Sequence, residues 1–271
     1  MKDVLTELSD HDFQMFQRLI YQSAGVVLSD VKKPLVVGRL SGRLRQLNLP
    51  DFAAYYRYVS RGDDEAEKQR LIDLLTTHET YFFREEQHFH WLAQWLRAGH
   101  VRAPRLWSAA CSSGEEVWTM AMVLADVLGF ESTWSVFGSD VSVAMVAQAE
   151  MAHYDEARVR GLPDAYKKKY CLKGVGQQQG TFLIDRRLRD HASFQVMNLL
   201  QAQPQVAAMD VIFLRNVMIY FDMPTKKRVI EHLLGRLKPE GYLIVGHSES
   251  LNGLVSGLTT VRPTIYTRVR C

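Results

Sequence analysis

The chain has 271 residues, 47% of them hydrophobic, with 33 Lys and Arg against 30 Asp and Glu for a net charge of +3. That length and apolar fraction allow one large or two ordinary domains around a real core, and the near balance of charge excludes a general nucleic-acid binder, so any basic surface has to be local. Cys111, Cys171 and Cys271 are odd in number, far apart and without a CxxC pair, which indicates neither a disulfide framework nor a zinc site and leads to the expectation of a cytoplasmic protein.

The first twenty residues, MKDVLTELSDHDFQMFQRLI, mix acids among the apolar positions, so no signal peptide is expected there. No window approaches the roughly 18 apolar residues of a membrane span. Residues 1–80 read as helices only. Ser9 with Asp12 three residues on resembles a capping box ahead of Phe13, Phe16, Leu19 and Ile20. A second helix is predicted from about Asp30 to Gln46, a third from Asp51 after Pro50, and a fourth from near Asp63 to about Thr77.

From Arg105 the pattern changes. RLWSAA at 105–110 reads as a strand, GEEVWTMAMVLADVLG at 114–129 as an amphipathic helix ending on Gly129, and WSVFGSD at 134–140 as a second strand, which together imply a right-handed parallel unit. A helix at 142–150 follows. MDVIFL at 209–214 and GYLIVG at 241–246 repeat the strand pattern around a helix from about 224 to 237, and LTTVRPTIYTRV supplies the closing strands. The expected fold is α/β, a doubly wound sheet. Residues 156–195 break the rhythm with YKKKY, KGVGQQQG, TFLI and ASFQV, and are predicted to form a small antiparallel β insertion.

The segment AACSSGEE, 109–116, lies between the first strand and its helix, where small residues let a ligand approach the backbone and the helix start offers unpaired N–H groups. It does not match GxGxxG and could equally be a tight turn. Asp140 ends the next strand about 25 residues later, the place where a nucleoside-binding doubly wound fold puts the carboxylate that holds ribose hydroxyls. An acid there without a phosphate loop favours a nucleoside lacking a pyrophosphate, such as S-adenosylmethionine. Glu115 and Glu116 agree, since carboxylates repel phosphate and can hold an ammonium group, although both could simply complement the helix dipole. TTHETYFFRE, 76–85, sets His78, Thr80 and Arg84 around three aromatic residues, as a connector with donors or as a plain helical joint. Asn198, after FQVM, and Asn216, after VIFLR, are polar residues at strand ends. On the second helix Lys32, Arg39 and Arg43 share a sector with Arg45 nearby, either a solvated face or a dock for an acidic partner. No GxSxG, Walker or HExxH motif is present, and no metal is implied.

THETYFFRE, WSAACSSGEE, GSDVS, NLL, FLRNVMIYFD, LLGRLKPEGYLIVGHSES and the terminal TIYTR together resemble the chemotaxis receptor glutamate methyltransferases of the CheR type, over nearly the whole chain. The resemblance implies a class I methyltransferase sheet at 105–271 carrying the β subdomain at about 156–195, a connector at 81–104, and an amino-terminal all-helical receptor-recognition domain at 1–80. It implies transfer of a methyl group from S-adenosylmethionine to glutamate side chains on the cytoplasmic helices of chemoreceptors, giving glutamate methyl esters and S-adenosylhomocysteine in receptor adaptation. Carried over by position, the cofactor contacts are His78, Thr80, Arg84, Glu115, Asp140, Asn198, Leu199, Asn216 and Val217. His78 stands where better-known members have Asn. Arg84 and Tyr220 are the implied orienting groups at the transfer site, and Lys32, Arg39, Arg43 and Arg45 the implied contacts to acidic receptor helices. In some members the β subdomain captures a peptide from the receptor carboxyl terminus as an added strand. Two rivals stay open, a methyltransferase of another substrate and a non-enzymatic signalling adaptor that senses the cofactor. Oligomeric state and the receptors served are outside the sequence.

Overall fold

The computed structural model describes residues 7–99, 101–156 and 160–269; Cys271 lies outside them. The chain divides into two compact units, one made of residues up to Thr77 with Tyr220–Thr225, the other of His78–Ile219 and Lys226 onwards.

The first unit holds α1 (Asp10–Ala24), a single 3-10 turn at Asp30–Lys32 leading into α2 (Lys33–Gln46), α3 (Phe52–Ser60) and α4 (Glu65–Leu75). The starts are where capping chemistry puts them. The Ser9 hydroxyl accepts from the Asp12 N–H at 3.0 Å and donates to the Asp12 carboxylate at 2.7 Å, while Asp51 and Asp64 accept from Ala54 and Glu67 N–H groups at 2.6 and 2.9 Å. Residues at helical spacing, Phe13, Phe16 and Ile20 of α1 and Val36, Leu40 and Leu44 of α2, are buried with Phe52, Tyr55, Leu71 and Leu75. Phe16 meets Tyr56 edge-on at 5.7 Å.

The second unit opens with α5 (Gln87–Arg97), an element that the sequence reading left inside a connector. Its His88, Phe89, Trp91, Leu92 and Leu96 are buried at helical spacing, and Phe89 stacks on Phe213 with ring centroids 5.8 Å apart. Then come β1 (Arg105–Ser108), α6 (Glu115–Leu128), β2 (Ser135–Asp140) and α7 (Val143–Met151). The small elements β3 (His153–Asp155), α8 (Asp164–Tyr170), β4 (Cys171–Lys173), β5 (Thr181–Ile184) and α9 (Arg186–Arg189) follow. Last are β6 (Ala192–Val196), β7 (Met209–Leu214), α10 (Met223–Leu234, which belongs to this unit from Lys226 on), β8 (Leu237–Val245), β9 (Leu258–Arg262) and β10 (Ile265–Arg268).

Seven strands form one sheet in the order β6-β2-β1-β7-β8-β10-β9, and three form a second in the order β3-β5-β4. The pairs β6-β2, β2-β1, β1-β7 and β7-β8 are parallel, and the β9-β10 hairpin closes β8 antiparallel. The chain winds from β1 through β2 to β6 on one side and from β7 to β8 on the other, so strand order reverses between β1 and β7. In sheets of this kind the ligand crevice lies outside the carboxyl ends at that reversal. The β7 residues Met209–Leu214 are all buried, as a central strand covered on both faces requires.

One assignment needs correction. ASFQV is not part of the antiparallel insertion: as β6 it runs parallel to β2 with Asp140 opposite Val196. An edge strand keeps exposed positions, and the half-exposed pattern of β6 imitates a small antiparallel strand. The insertion instead recruits β3, which pairs antiparallel with β5 through Tyr154 and Phe182.

Candidate functional site

Polar side chains collect at the carboxyl ends of β1, β2, β6, β7 and β8 in two hydrogen-bonded groups. The first joins the connector, the loop after β1 and the end of β2. Both oxygens of the buried Asp140 carboxylate are used: Oδ2 accepts from the Ser112 N–H at 2.8 Å and Oδ1 from the Ser142 N–H at 3.0 Å. The Ser112 hydroxyl donates to the His78 carbonyl at 3.2 Å. The Met197 N–H donates to the Asp140 carbonyl at 2.8 Å, which sets Asn198 beside the end of β2. Asn198 then forms its own turn, its side-chain oxygen accepting from the Leu200 N–H at 3.0 Å, while the Leu199 carbonyl is 3.1 Å from His232 Nδ1.

The turn into α6 is tight for a reason that can be named. Ser112 and Gly114 have φ of 49° and 95°, and a Cβ on Gly114 would stand 2.7 Å from the Ala149 Cβ. Glu115, first residue of α6, is fully buried and accepts from the Ser113 hydroxyl at 2.7 Å. Glu116 faces a different task, accepting from the Ser108 hydroxyl at 2.7 Å and from Arg215 Nη1 at 2.7 Å. The helix start therefore presents carboxylates, and Arg215, the buried cation of this unit among the described residues, is held by Glu116 and by Glu85 at 3.0 Å. Thr80, half-buried, lies between His78 and Arg84, whose Nη1 donates to the Glu79 carbonyl at 2.6 Å.

The second group surrounds Asn216. This residue sits in the left-handed region at φ 57°, and the buried Glu249 carboxylate accepts from three backbone N–H groups around it, Asn216 at 2.8 Å, Met218 at 2.8 Å and Gly246 at 2.7 Å. The Asn216 amide donates to Glu85 Oε1 at 3.1 Å. A Cβ on Gly246 would meet the Asn216 Nδ2 at 2.7 Å, so only glycine lets β8 end against this loop. Val217, half-buried, follows Asn216 into the 3-10 turn Met218–Tyr220. Burial opposes ionisation of Glu85, yet Arg215 and the Asn216 amide outweigh it and hold the carboxyl below the ordinary range. The buried His88, 3.6 Å from Glu85, is pushed down to about 3 by burial and the charge of Arg215, so it is neutral.

Arg215, Glu85 and Glu249 are the residues sequence reasoning missed. Arg215 is visible as a charge at the end of an apolar strand, and Glu249 lies in GHSES, but which backbone groups they hold depends on β7 and β8 being neighbours.

The remaining expected residues belong to the helical unit. Arg39 donates to the Thr76 carbonyl at 2.8 Å and lies 3.3 Å from the Thr77 hydroxyl. Arg43 binds the buried Glu67 through Nε at 3.0 Å and through Nη2, and Glu67 also accepts from the Tyr55 hydroxyl at 2.8 Å. Lys32 and Arg45 are exposed. Tyr220 is half-buried, and its carbonyl accepts from the Val27 N–H at 2.8 Å.

Two family models match the chain, the all-alpha domain of CheR methyltransferase at residues 11–76 and its SAM-binding domain at residues 78–267. The chain belongs to the CheR methyltransferase family. It is 39% identical to the chemotaxis protein methyltransferase of Salmonella typhimurium, over 96% of this chain and 90% of that protein. The corresponding protein of Escherichia coli is also 39% identical, over 96% and 91%. Chemotaxis protein methyltransferase 2 of Pseudomonas aeruginosa is 38% identical, over 94% and 92%. As a CheR methyltransferase the chain has a class I methyltransferase fold and takes S-adenosylmethionine as methyl donor, and its methylation serves chemotaxis. No helix among the described residues is long and apolar enough to cross a membrane.

Proposed function

We propose that this CheR methyltransferase esterifies glutamate side chains on the cytoplasmic methylation helices of chemoreceptors and releases S-adenosylhomocysteine. The observation that carries the reading is the gathering of connector, α6 loop and strand ends around Asp140 and Asn216, a polar frame suited to a nucleoside. When bound, S-adenosylmethionine supplies a methyl group activated by the sulfonium. An acceptor carboxylate is already ionised near neutral pH, so the protein need not remove a proton. Its contribution is orientation, which in well-aligned systems lowers barriers by about 7–11 kcal/mol.

In this reading Asp140 holds the ribose hydroxyls and Glu115 the ammonium group. His78, Thr80, Asn198, Leu199, Asn216 and Val217 complete the cofactor cradle, with Arg84 and Tyr220 orienting the acceptor. Acidic receptor helices are met chiefly by Lys32 and Arg45, because Arg39 and Arg43 are engaged with Thr76 and Glu67. The small sheet offers β4 as an edge strand, with Leu172 in it 53% exposed and Val175 just after it 78% exposed, a surface suited to adding a receptor tail peptide as a further strand. A cytoplasmic protein is the setting that this substrate requires.

The test offers labelled S-adenosylmethionine with a receptor cytoplasmic fragment and with the same fragment whose acceptor glutamates are replaced by Ala. Label confined to the unaltered fragment supports the reading; equal labelling of both, or none, overturns it. Calorimetric titration with receptor tail peptides tests the β4 edge separately.

A further inference from the structure

Glu85, His88 and His247 come together in the second unit from distant parts of the sequence, and their ligand-type atoms all lie within 4.8 Å of one another. His88 is buried in α5, and its Nε2 is 2.8 Å from the Thr264 hydroxyl. That hydroxyl has one proton, and it is donated to the Pro263 carbonyl at 2.6 Å. Thr264 must therefore accept from His88 Nε2–H, which leaves the lone pair on Nδ1. Among the described residues Nδ1 has no hydrogen-bond partner, and it lies 3.6 Å from the Glu85 carboxylate. Two Lewis bases thus face each other with no proton between them. The imidazole of His247 completes the group, its Nε2 3.9 Å from the same Glu85 oxygen and its ring 4.9 Å from that of His88.

We propose that Glu85 Oε2, His88 Nδ1 and His247 Nε2 form a binding site for a divalent cation of the zinc class, distinct from the methyl-transfer chemistry. Two imidazoles and a carboxylate are a donor set that zinc and neighbouring transition metals accept, with a fourth position left to water. At bond lengths of roughly 2.0–2.2 Å, tetrahedral ligand atoms lie about 3.3 Å apart, so the observed spacings of 3.6 Å, 3.9 Å and up to 4.8 Å have to close by about 0.3 to 1.5 Å. His247 can supply it, since its side chain is 49% exposed. Thr264 already fixes the tautomer and ring orientation of His88, as partners behind metal-bound histidines do.

The opposing charge is Arg215, whose Nη2 is 3.0 Å from Glu85 Oε2. It keeps Glu116 at 2.7 Å and the Arg84 carbonyl when Oε2 turns to a cation, and the three side chains together carry one negative charge. Asn216 remains on the other oxygen, Oε1. The backbone N–H of His247, which donates to Oε2 at 3.1 Å, is the contact most directly displaced. A cation here competes with the anchor of the Asn216 loop and takes no part in methyl transfer.

Titration of the full, untagged chain with Co2+, followed by visible absorption, reads the site without any turnover, so its failure leaves the methyltransferase reading standing. The expected result is d–d bands saturating at one equivalent, displaced by Zn2+, with affinity at least tenfold weaker in His247→Ala. His247 is half-exposed, so this variant keeps the fold, and circular dichroism verifies that. Absence of a saturable band, or unchanged binding in His247→Ala, overturns the proposal.

Discussion

Glu249 accepts three backbone N–H groups while buried, which makes it the residue on which the Asn216–Met218 loop most depends. Gln in its place has one acceptor oxygen and turns an NH2 toward N–H donors, and hydrogen bonds to a charged group contribute about 1.5–3 kcal/mol each. Glu249→Gln is expected to weaken S-adenosylmethionine binding by about tenfold or more, read by calorimetry beside a melting curve. Reduced stability with unchanged affinity would give Glu249 a structural role only. For Tyr220, the orienting role predicts a lower turnover in Tyr220→Phe with cofactor affinity retained; an unchanged rate removes the hydroxyl from the mechanism. At this scale the sequence shows where polar groups stand but not what they hold. Asp140 and Asn216 are legible as polar ends of apolar strands. The Arg215–Glu116–Glu85 cluster joins three segments whose proximity exists only once α5, α6 and β7 are packed.

At the scale of elements, α2 divides its basic side chains between two duties. Arg43 neutralises Glu67, and removing one partner of a buried pair is strongly destabilising; since Arg43 is partly exposed, Arg43→Ala is expected to cost about 2 kcal/mol, visible as a lower denaturation midpoint. Lys32→Glu with Arg45→Glu should leave stability within about 0.5 kcal/mol and reduce receptor methylation with cofactor affinity unchanged. The sequence put all four charges on one helix, whereas Lys32 ends the 3-10 turn before α2 and only Arg39, Arg43 and Arg45 lie on it; it could not distinguish these duties, because Glu67 reads as an exposed first-turn acid of α4. A second element-scale contact is testable by pH. Asp126 of α6 accepts from Lys169 of α8 at 2.7 Å, and this hydrogen bond holds its carboxyl below the ordinary range. A depressed carboxylate contributes stability above its unfolded pKa of about 3.9 and loses it as pH falls through the lower folded value. Pulsed hydrogen exchange of residues 164–170 should show protection falling as pH drops below about 4, and Asp126→Asn should remove that part of the dependence.

Across the described residues, the elements with strong periodicity were legible: the four amino-terminal helices, three of them capped by Ser9, Asp51 and Asp64, the β1–α6–β2 unit, and the buried, mostly apolar β7. Two features were not. The α5 helix hides behind His88, Trp91 and Trp95, whose aromatic rings serve tertiary contacts such as Trp91 on Tyr242 at 4.8 Å, and β6 is an edge strand with little apolar signal of its own. Both are recovered only when the sheet supplies their partners. That sheet explains why charged residues spread over the second unit converge on strand ends, and it leaves one central claim, that the chain makes a glutamate ester. The direct measurement is alkali treatment of receptor fragment labelled from methyl-labelled S-adenosylmethionine. The account predicts that mild base releases the label as volatile methanol, whereas label that survives the treatment contradicts it.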